Sequence, residues 1–234
     1  DFDGHDHVDY GGDDCNDTDP LISPTSPESR DLVDEDCDGY VDEDHIVFGD
    51  ILVSEIMAMP LYSSEWDGEY FEVMNTTDEP INMVGWSVVN ADGDGFDVDH
   101  DLIVPAGGFA VLGVSDNMDL NGGIEVDYTY DWDDFSFHNE ADTIRINLLG
   151  ININTTAYTR SWNIALGRSL GIDLDYAHPD TLSLSAVWCN SSTLLHDDGP
   201  SDYGTPGLPN DECLEIDWDA DGHTELDGDC DDEN

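Results

Sequence analysis

The side chains best suited to chemistry in this sequence are short carboxylates that alternate with other residues ahead of a glycine. Near the carboxyl end, one such loop offers side-chain oxygens at relative positions 1, 3, 5 and 9 and a main-chain carbonyl at position 7, from Asp217, Asp219, Asp221, Glu225 and His223. Gly222, at position 6, permits the sharp turn that brings the carbonyl round. Alternating oxygens at this spacing surround a single Ca²⁺ in EF-hand-like loops. The spacing therefore predicts a calcium site, and because no helix signal borders it, a free-standing loop.

A second copy of this loop lies near the amino end, with Gly39 at the turn position. Its predicted ligands are the side chains of Asp34, Asp36, Asp38, Asp42 and Glu43 and the carbonyl of Tyr40. Two such loops in one chain favour several bound Ca²⁺ ions over a pair of solvated acidic turns, which is the alternative interpretation.

The two ends of the chain also match each other. Asp1-Phe2-Asp3-Gly4-His5 aligns with residues 219–223, and residues 12–17 align with residues 227–232. The match predicts a further loop in which Asp1, Asp3 and His5 are ligands. It also predicts that the chain is one unit of a longer array, because self-similarity at a long period is typical of strings of modules.

Five cysteines leave one without a partner inside the chain. In the register of the end-to-end match, Cys15 pairs with Cys37 and Cys189 with Cys213, while Cys230 pairs with the next unit. This connectivity is a hypothesis, because spacing alone does not determine it. Cysteines in an acidic, loop-rich chain favour an oxidising compartment, and hence an extracellular or cell-surface location.

A weaker copy of the loop lies in the middle of the chain. It has Asn90, Asp92 and Asp94 ahead of Gly95, followed by Asp97, Asp99 and Asp101. A polar hairpin loop between two strands explains this pattern as well as an ion site does, so both interpretations stand.

The charge balance narrows the possible partners. Acidic side chains outnumber basic ones 57 to 4, and the formal net charge is −53. This negative charge excludes binding to nucleic acid or to anionic membranes, because both need a cationic face on the protein. It also predicts self-repulsion that bound cations would offset, although a solvated halophilic surface would account for the acidity as well. No apolar run of about 18 residues is present, so membrane insertion is not expected.

From residue 50 onward the pattern changes to short apolar or alternating runs separated by Gly, Pro, Asn and Asp. These runs predict strands at 51–57, 70–74, 86–89, 109–114, 125–130, 143–148 and 151–158. Seven short strands at this spacing predict an all-β, antiparallel β-sandwich, with a jelly roll or small barrel as the alternatives.

The acidic segments resemble a metal-binding repeat of bacterial surface proteins, over residues 12–20, 23–28 and 34–43. The partial copy at 217–234 repeats the opening of that pattern. The resulting organisation has an Asp-rich metal-binding segment at 1–45, a sandwich domain at 46–212 and the start of a second Asp-rich segment at 213–234.

The middle region resembles the lamin-tail domain through landmarks in that family's order, at 53–56, 69–73, 84–86, 105–108, 167–170, 188–189 and 204–210. The resemblance implies an immunoglobulin-like sandwich with a structural or binding role and no chemistry. Glu55 and Glu72 lie within the landmarks, and we expect them to pair inside the fold with Arg145 or Arg168.

The segment 167–171 matches the G-x-S-x-G nucleophile elbow around Ser169. An elbow needs a strand before the serine and a helix after it, whereas residues 172–182 read as extended and rich in turns. We therefore expect no enzymatic activity.

These features predict an extracellular structural module whose calcium loops rigidify and link copies of the chain end to end. The alternative is a calcium-dependent adhesion or carbohydrate-binding module that contacts cell-surface glycans. An exposed aromatic cluster would favour that alternative, and its candidate members are Tyr62, Trp66, Trp132 and Phe135.

Overall fold

The structure is a computed structural model that describes residues 3–196 and 200–213, and it is mostly β. The strands are β1 Ile51–Met57, β2 Tyr70–Asn75, β3 Ile81–Asn82, β4 Ser87–Val89, β5 Gly95–Asp97, β6 Ile103–Val104, β7 Phe109–Gly113, β8 Tyr128–Thr129, β9 Asp142–Leu148, β10 Ile151–Tyr158, β11 Leu170–Ile172 and β12 Trp188–Asn190. One short helix, α1, spans Glu65–Gly68. Single 3-10 turns lie at Val8–Tyr10, Glu43–His45, Arg160–Trp162, Leu174–Tyr176 and Ser185–Val187.

The strands form two main sheets. A six-stranded sheet has the order β12-β11-β1-β2-β7-β8, a four-stranded sheet has the order β10-β9-β4-β5, and β3 pairs with β6. Every pairing is antiparallel except β7 with β8. Strand β1 of the first sheet lies against β10 of the second. The predicted immunoglobulin-like, antiparallel sandwich is confirmed.

The longest predicted runs coincide with strands, and 51–57 and 151–158 match β1 and β10 at both ends. The short strands β3, β5, β6, β11 and β12 were not predicted, because two or three residues are too few to show alternation. The run at 125–130 contains only the two residues of β8. Just before it, the Asp127 side chain and amide both bond to the backbone of Val111, in place of a longer ladder.

The core between the sheets is aromatic at one end. Phe71 lies with its ring centroid 5.9–6.1 Å from the rings of Tyr130, Phe135 and Phe137. Trp86, expected to supply buried area, is buried. Phe135 is buried too, so this candidate belongs to the core and not to an exposed aromatic cluster. The reason is the turn at 131–135, which directs this side chain inward while Trp132 stays at the surface.

Three glutamates are buried in the sandwich: Glu55, Glu69 and Glu72. The expected pairing of Glu55 and Glu72 with arginine is wrong. Glu55 accepts hydrogen bonds from Tyr70, Ser169 and the Thr205 amide, and Glu72 accepts them from Ser54 and the Gly207 amide. Arg145 and Arg168 instead donate to the carbonyls of Asn90 and Ser191.

Burial also sets the protonation of these carboxyls. Glu69 has one oxygen bonded to the Phe137 amide and the other without a partner in the part of the chain that the structure describes. Burial raises the pKa of Glu69 to about 9 and that of Glu72 to about 8, where the charge of Glu55 adds to the effect. Both groups are therefore carboxylic acids at neutral pH.

The sandwich is accordingly expected to lose stability as the pH rises. Both carboxyls have an ordinary pKa of 4.5, so the folded state holds more protons than the unfolded state between pH 4.5 and about 9. The free energy of unfolding, measured by urea titration in chelator, should fall through that window. Glu69→Gln should flatten the fall, whereas exposed Glu125→Gln should leave it unchanged. Equal slopes for the wild type and Glu69→Gln would contradict the assignment.

Ser169 lies directly before β11 and is fully buried. Its hydroxyl donates to Glu55, and β11 pairs on both sides with antiparallel strands, β1 and β12. The serine is thus part of a sheet and not of a strand-turn-helix elbow. The expectation that the chain is not an enzyme stays a prediction.

Within the described residues, no helix is both long and apolar enough to cross a bilayer.

Candidate metal centre

The amino-terminal segment is built from turns and held by a disulfide. Cys15 is bonded to Cys37, and Cys189 is bonded to Cys213 next to the sandwich. Both predicted pairs are confirmed, and Cys230 lies outside the described residues. The first disulfide anchors the loop that follows Asp34, since Cys37 is at its middle.

That loop curls around its own carboxylates. The two oxygens of Asp34 accept hydrogen bonds from the amides of Asp38 at 3.2 Å and Gly39 at 3.0 Å. Oδ1 of Asp36 accepts from Asp38, and Oδ1 of Asp38 accepts from Tyr40. Gly39 has φ of 93°, in the left-handed region that favours glycine, as the turn position requires. Asp34, Asp36 and Asp38 thus face the inside of one turn.

Glu43 closes the open side of this turn. Oxygens of Asp36, Asp38 and Glu43 lie within 4.8 Å of one another. Glu43 is only 9% exposed, and its Oε2 has no hydrogen-bond partner among the residues that the structure describes. Burial, with the nearby charges of Glu28 and Asp38, raises the pKa of Glu43 to about 7. A buried carboxylate that has one oxygen without a donor and lies close to two further carboxylates matches the donor set of a hard divalent cation.

Glu28 supports the loop from outside its sequence. Its Oε1 accepts hydrogen bonds from the amides of Glu35 at 2.8 Å and Asp36 at 3.0 Å, and its Oε2 accepts from Asp42 at 2.8 Å. Burial raises the pKa of Glu28. Glu28 also forms an acidic group with Asp34 and Asp36, all with oxygens within 4.8 Å. Loop spacing does not reveal this residue, and its only sequence signal was its place in the 23–28 part of the family resemblance.

Asp42 and Glu35 form a buried group with Glu28. The Asp42 oxygens accept from the amides of Asp31 and Leu32, and Glu35 accepts from Ser29. Asp42, predicted as the ligand at loop position 9, thus contacts the preceding segment. The seven carboxylates of this acidic cluster are Glu28, Asp34, Glu35, Asp36, Asp38, Asp42 and Glu43.

The other predicted loops are described in part. Asp3 accepts a hydrogen bond from the His5 amide at 2.8 Å, and the His5 ring lies 3.0 Å from Asp13. The remaining predicted ligands lie outside the described residues: Asp1, Asp217, Asp219, Asp221, His223 and Glu225.

The middle loop is the hairpin between β4 and β5. Asn90 accepts hydrogen bonds from the amides of Asp92 and Asp94 at 3.0 Å each. Asp92 is directed outward to His138. These contacts favour the polar hairpin over an ion site.

Two family models match the chain. Residues 14–43 match the family described as "Putative metal-binding motif". Residues 47–160 match the family described as "Lamin Tail Domain". Residues 47–160 therefore correspond to a lamin tail domain. No curated protein matches the chain.

The β-sandwich continues beyond the residues that match the lamin tail domain. Strands β11 and β12 follow residue 160 and belong to the same six-stranded sheet as β1. After them, residues 204–210 cross this sheet and bond to Glu55 and Glu72.

The metal-binding motif is docked on the lamin tail domain. The ring of Tyr40 lies against Gly85, where an added Cβ would be only 2.7 Å from Tyr40. Tyr40 and Ile46 both pack on the main core. Because Tyr40 directly follows Gly39, the acidic loop and the domain share one packed junction.

Proposed function

We propose that the chain is an extracellular structural module in which calcium-binding loops stiffen and link successive units. The observation that carries the proposal is Glu43, whose buried Oε2 has no hydrogen-bond donor among the described residues and whose carboxylate lies within 4.8 Å of those of Asp36 and Asp38. An ionised carboxylate in such a place needs a cation, because burial without compensation is costly.

The donor chemistry favours Ca²⁺ as that cation. Every side chain of the acidic cluster offers oxygen, which selects hard cations over the softer metals that prefer thiolate or imidazole. The residues that would hold the ion are Asp34, Asp36, Asp38 and Glu43, with the Tyr40 carbonyl. When bound, Ca²⁺ would supply positive charge that offsets the repulsion among these carboxylates. A flexible, irregular loop suits Ca²⁺ better than Mg²⁺, which demands near-ideal octahedral geometry.

The chain itself converts ion binding into stiffness. Gly39 lies in the loop and Tyr40 lies in the packed junction, so ordering the loop also orders the connection to the lamin tail domain. The loop at 217–225 would act in the same way at the other end, towards the next copy of the chain. Metal binding would thus supply folding energy where turns bury little apolar surface.

The location rests on the disulfides. Two bonded pairs within the described residues are typical of proteins of oxidising compartments. Extracellular calcium modules bind at about 10⁻⁴ to 10⁻³ M, so the loops would be filled where Ca²⁺ is abundant.

Removal of divalent ions tests the proposal. In excess chelator, we expect larger dimensions by small-angle X-ray scattering and faster proteolysis within residues 14–45, with the sandwich still protected from proteolysis. Ca²⁺ should reverse both changes, and Na⁺ at the same ionic strength should not. Identical scattering and cleavage with and without chelator would contradict a calcium-stiffened module.

The alternative is a calcium-dependent adhesion or carbohydrate-binding module. It is supported by Trp66, which is 65% exposed, and by Trp132, whose ring lies 6.1 Å away at a steep angle. Next to Trp66, Glu65 accepts a hydrogen bond from the side-chain amide of Asn139 at 2.6 Å. Binding on a glycan array that Trp66→Ala abolishes would favour this role over the linking role.

A further inference from the structure

We infer that two copies of this chain associate side by side, through antiparallel pairing of strand β10 of one copy with β10 of the other. This contact contains none of the predicted calcium ligands, so it goes beyond the proposed linking of units through their acidic loops. It would join two four-stranded sheets into one continuous sheet across a two-fold axis.

Strand β10 has an open edge. It lies at the end of its sheet, and among the described strands it pairs only with β9. On its other side the Ile153 carbonyl accepts a hydrogen bond from the Gly49 amide at 2.9 Å, and within residues 3–196 and 200–213 no further segment bonds to the backbone there. Thr155 is exposed and Ala157 is half-buried. Unpaired backbone groups along a strand edge are a template for a strand of another chain.

The usual protection of a sheet edge is missing from β10. Natural edge strands carry charged side chains or proline, which discourage pairing with other chains. None of the eight residues of β10 is charged, and none is proline. The register against β9 shifts between Asn152 and Asn154, but residues 154–158 then follow β9 without interruption. This part of the strand is therefore regular enough to pair on both sides.

Charge favours a second copy as the partner. Residues 143–172 contain no Asp or Glu, although 57 of the 234 residues are acidic, and they contain three of the four basic side chains. The outward-facing residues of β9, beside β10, are Thr143, Arg145 and Asn147. Elsewhere the acidic surfaces of two copies would repel each other. A two-fold contact at β10 places acid-free surface against acid-free surface, because both copies use the same patch.

Exposed apolar side chains border the same edge. Ile151, at the start of β10, is 65% exposed, and Leu149 in the preceding turn is 53% exposed. Phe48 is also 53% exposed, and the bond between Gly49 and Ile153 places it beside the strand. An antiparallel pair centred on the regular part of β10 would bring Ile151 of each copy towards the 3-10 turn that follows β10 in the other. Burial of this apolar surface would stabilise the dimer.

Sedimentation equilibrium of the full chain tests the inference, in a Cys230→Ser background that prevents covalent dimers. High ionic strength screens the general repulsion between copies, so we expect a reversible dimer there, in excess chelator as well as in Ca²⁺. Hydrogen exchange in residues 154–158 should slow as the protein concentration rises, because pairing protects backbone amides at the edge.

Thr155→Lys should weaken the dimer about tenfold, because a lysine on an edge strand opposes pairing and each dimer contains two. The matched control is Thr129→Lys, which adds the same charge at an exposed position of β8, the edge strand of the other sheet. It should leave the dissociation constant unchanged. Both lysines make the chain less negative, so an effect of general charge would strengthen the dimer, opposite in sign to the expected loss.

A monomer at every concentration, or equal dimer affinities for Thr155→Lys and the parent chain, would overturn the contact at β10 and leave the proposed calcium function standing. An equal loss in Thr129→Lys would also overturn it. A dimer that forms only in Ca²⁺ and disappears in Glu43→Gln would assign association to the acidic loops instead. Should Thr155→Lys fail to fold, hydrogen exchange in the parent chain decides, and exchange in β10 that is independent of concentration contradicts the pairing.

Discussion

Glu43→Gln is expected to weaken Ca²⁺ binding at its centre by on the order of 100-fold, the upper end of what changes around a metal site cost. The glutamine keeps the size of the side chain but removes the charge of a buried carboxylate whose Oε2 lacks a donor among the described residues. In either orientation, the glutamine amide offers the cation one oxygen in place of two. In one of the two orientations its NH2 group also points at Asp36 or Asp38. Calorimetric titration with Ca²⁺ measures the change.

The matched control is Asp44→Asn. Asp44 is adjacent in sequence and exposed, so the variant changes the net charge equally without touching the buried oxygens. We expect less than a threefold change in affinity, since an exposed charge is screened by salt and water. Comparable losses in the two variants would show diffuse screening by the acidic surface and would remove the case for a built centre.

Glu55→Leu is expected to lower the free energy of unfolding by about 3–5 kcal/mol, because leucine accepts none of the hydrogen bonds that this buried side chain receives. Glu55 accepts hydrogen bonds from the Tyr70 hydroxyl at 3.2 Å, the Thr205 amide at 2.8 Å and the Ser169 hydroxyl. Leucine would leave three buried donors without an acceptor, and each costs about 1–3 kcal/mol. Urea unfolding gives the loss.

The first structural effect of Glu55→Leu should be local to residues 204–210. The Thr205 amide is one of the contacts that hold residues 204–210 on the sheet, and Glu72 holds the next, Gly207, at 2.6 Å. Hydrogen exchange at residues 204–210 should therefore accelerate more than exchange in β9. Glu55→Gln keeps an acceptor oxygen and should cost less than half as much. Equal losses for leucine and glutamine would mean that charge, and not these hydrogen bonds, sets the stability.

The fold was largely predictable from local patterns. Apolar or alternating runs located β1 and β10 to the residue, because strands of seven and eight residues are long enough to stand out between turn residues. Strands as short as β3 or β6 carry no such pattern, and their pairing depends on the chain around them. Phe135 likewise has no local signal for burial, since one turn decides whether an aromatic ring points into a core or out of it.

The partners of the buried acids show where local information ends. Glu55 was expected to pair with an arginine, because opposite charges attract. Instead its Oε1 accepts from two hydroxyls and an amide, from residues 70, 169 and 205, which only the folded sheet brings together. Burial then makes charge itself unfavourable, and this is a property of the surroundings and not of the residue.

The sequence by itself determined the donor chemistry of this protein: alternating Asp residues, a glycine at the turn and paired cysteines specify oxygen sites in disulfide-held loops. The tertiary structure alone decided which carboxylates meet. It brought Glu28 and Glu43 to the loop of Asp34, Asp36 and Asp38. Spacing specifies contacts only within one turn, whereas a cation is surrounded from all sides, and the remaining sides come from distant parts of the chain.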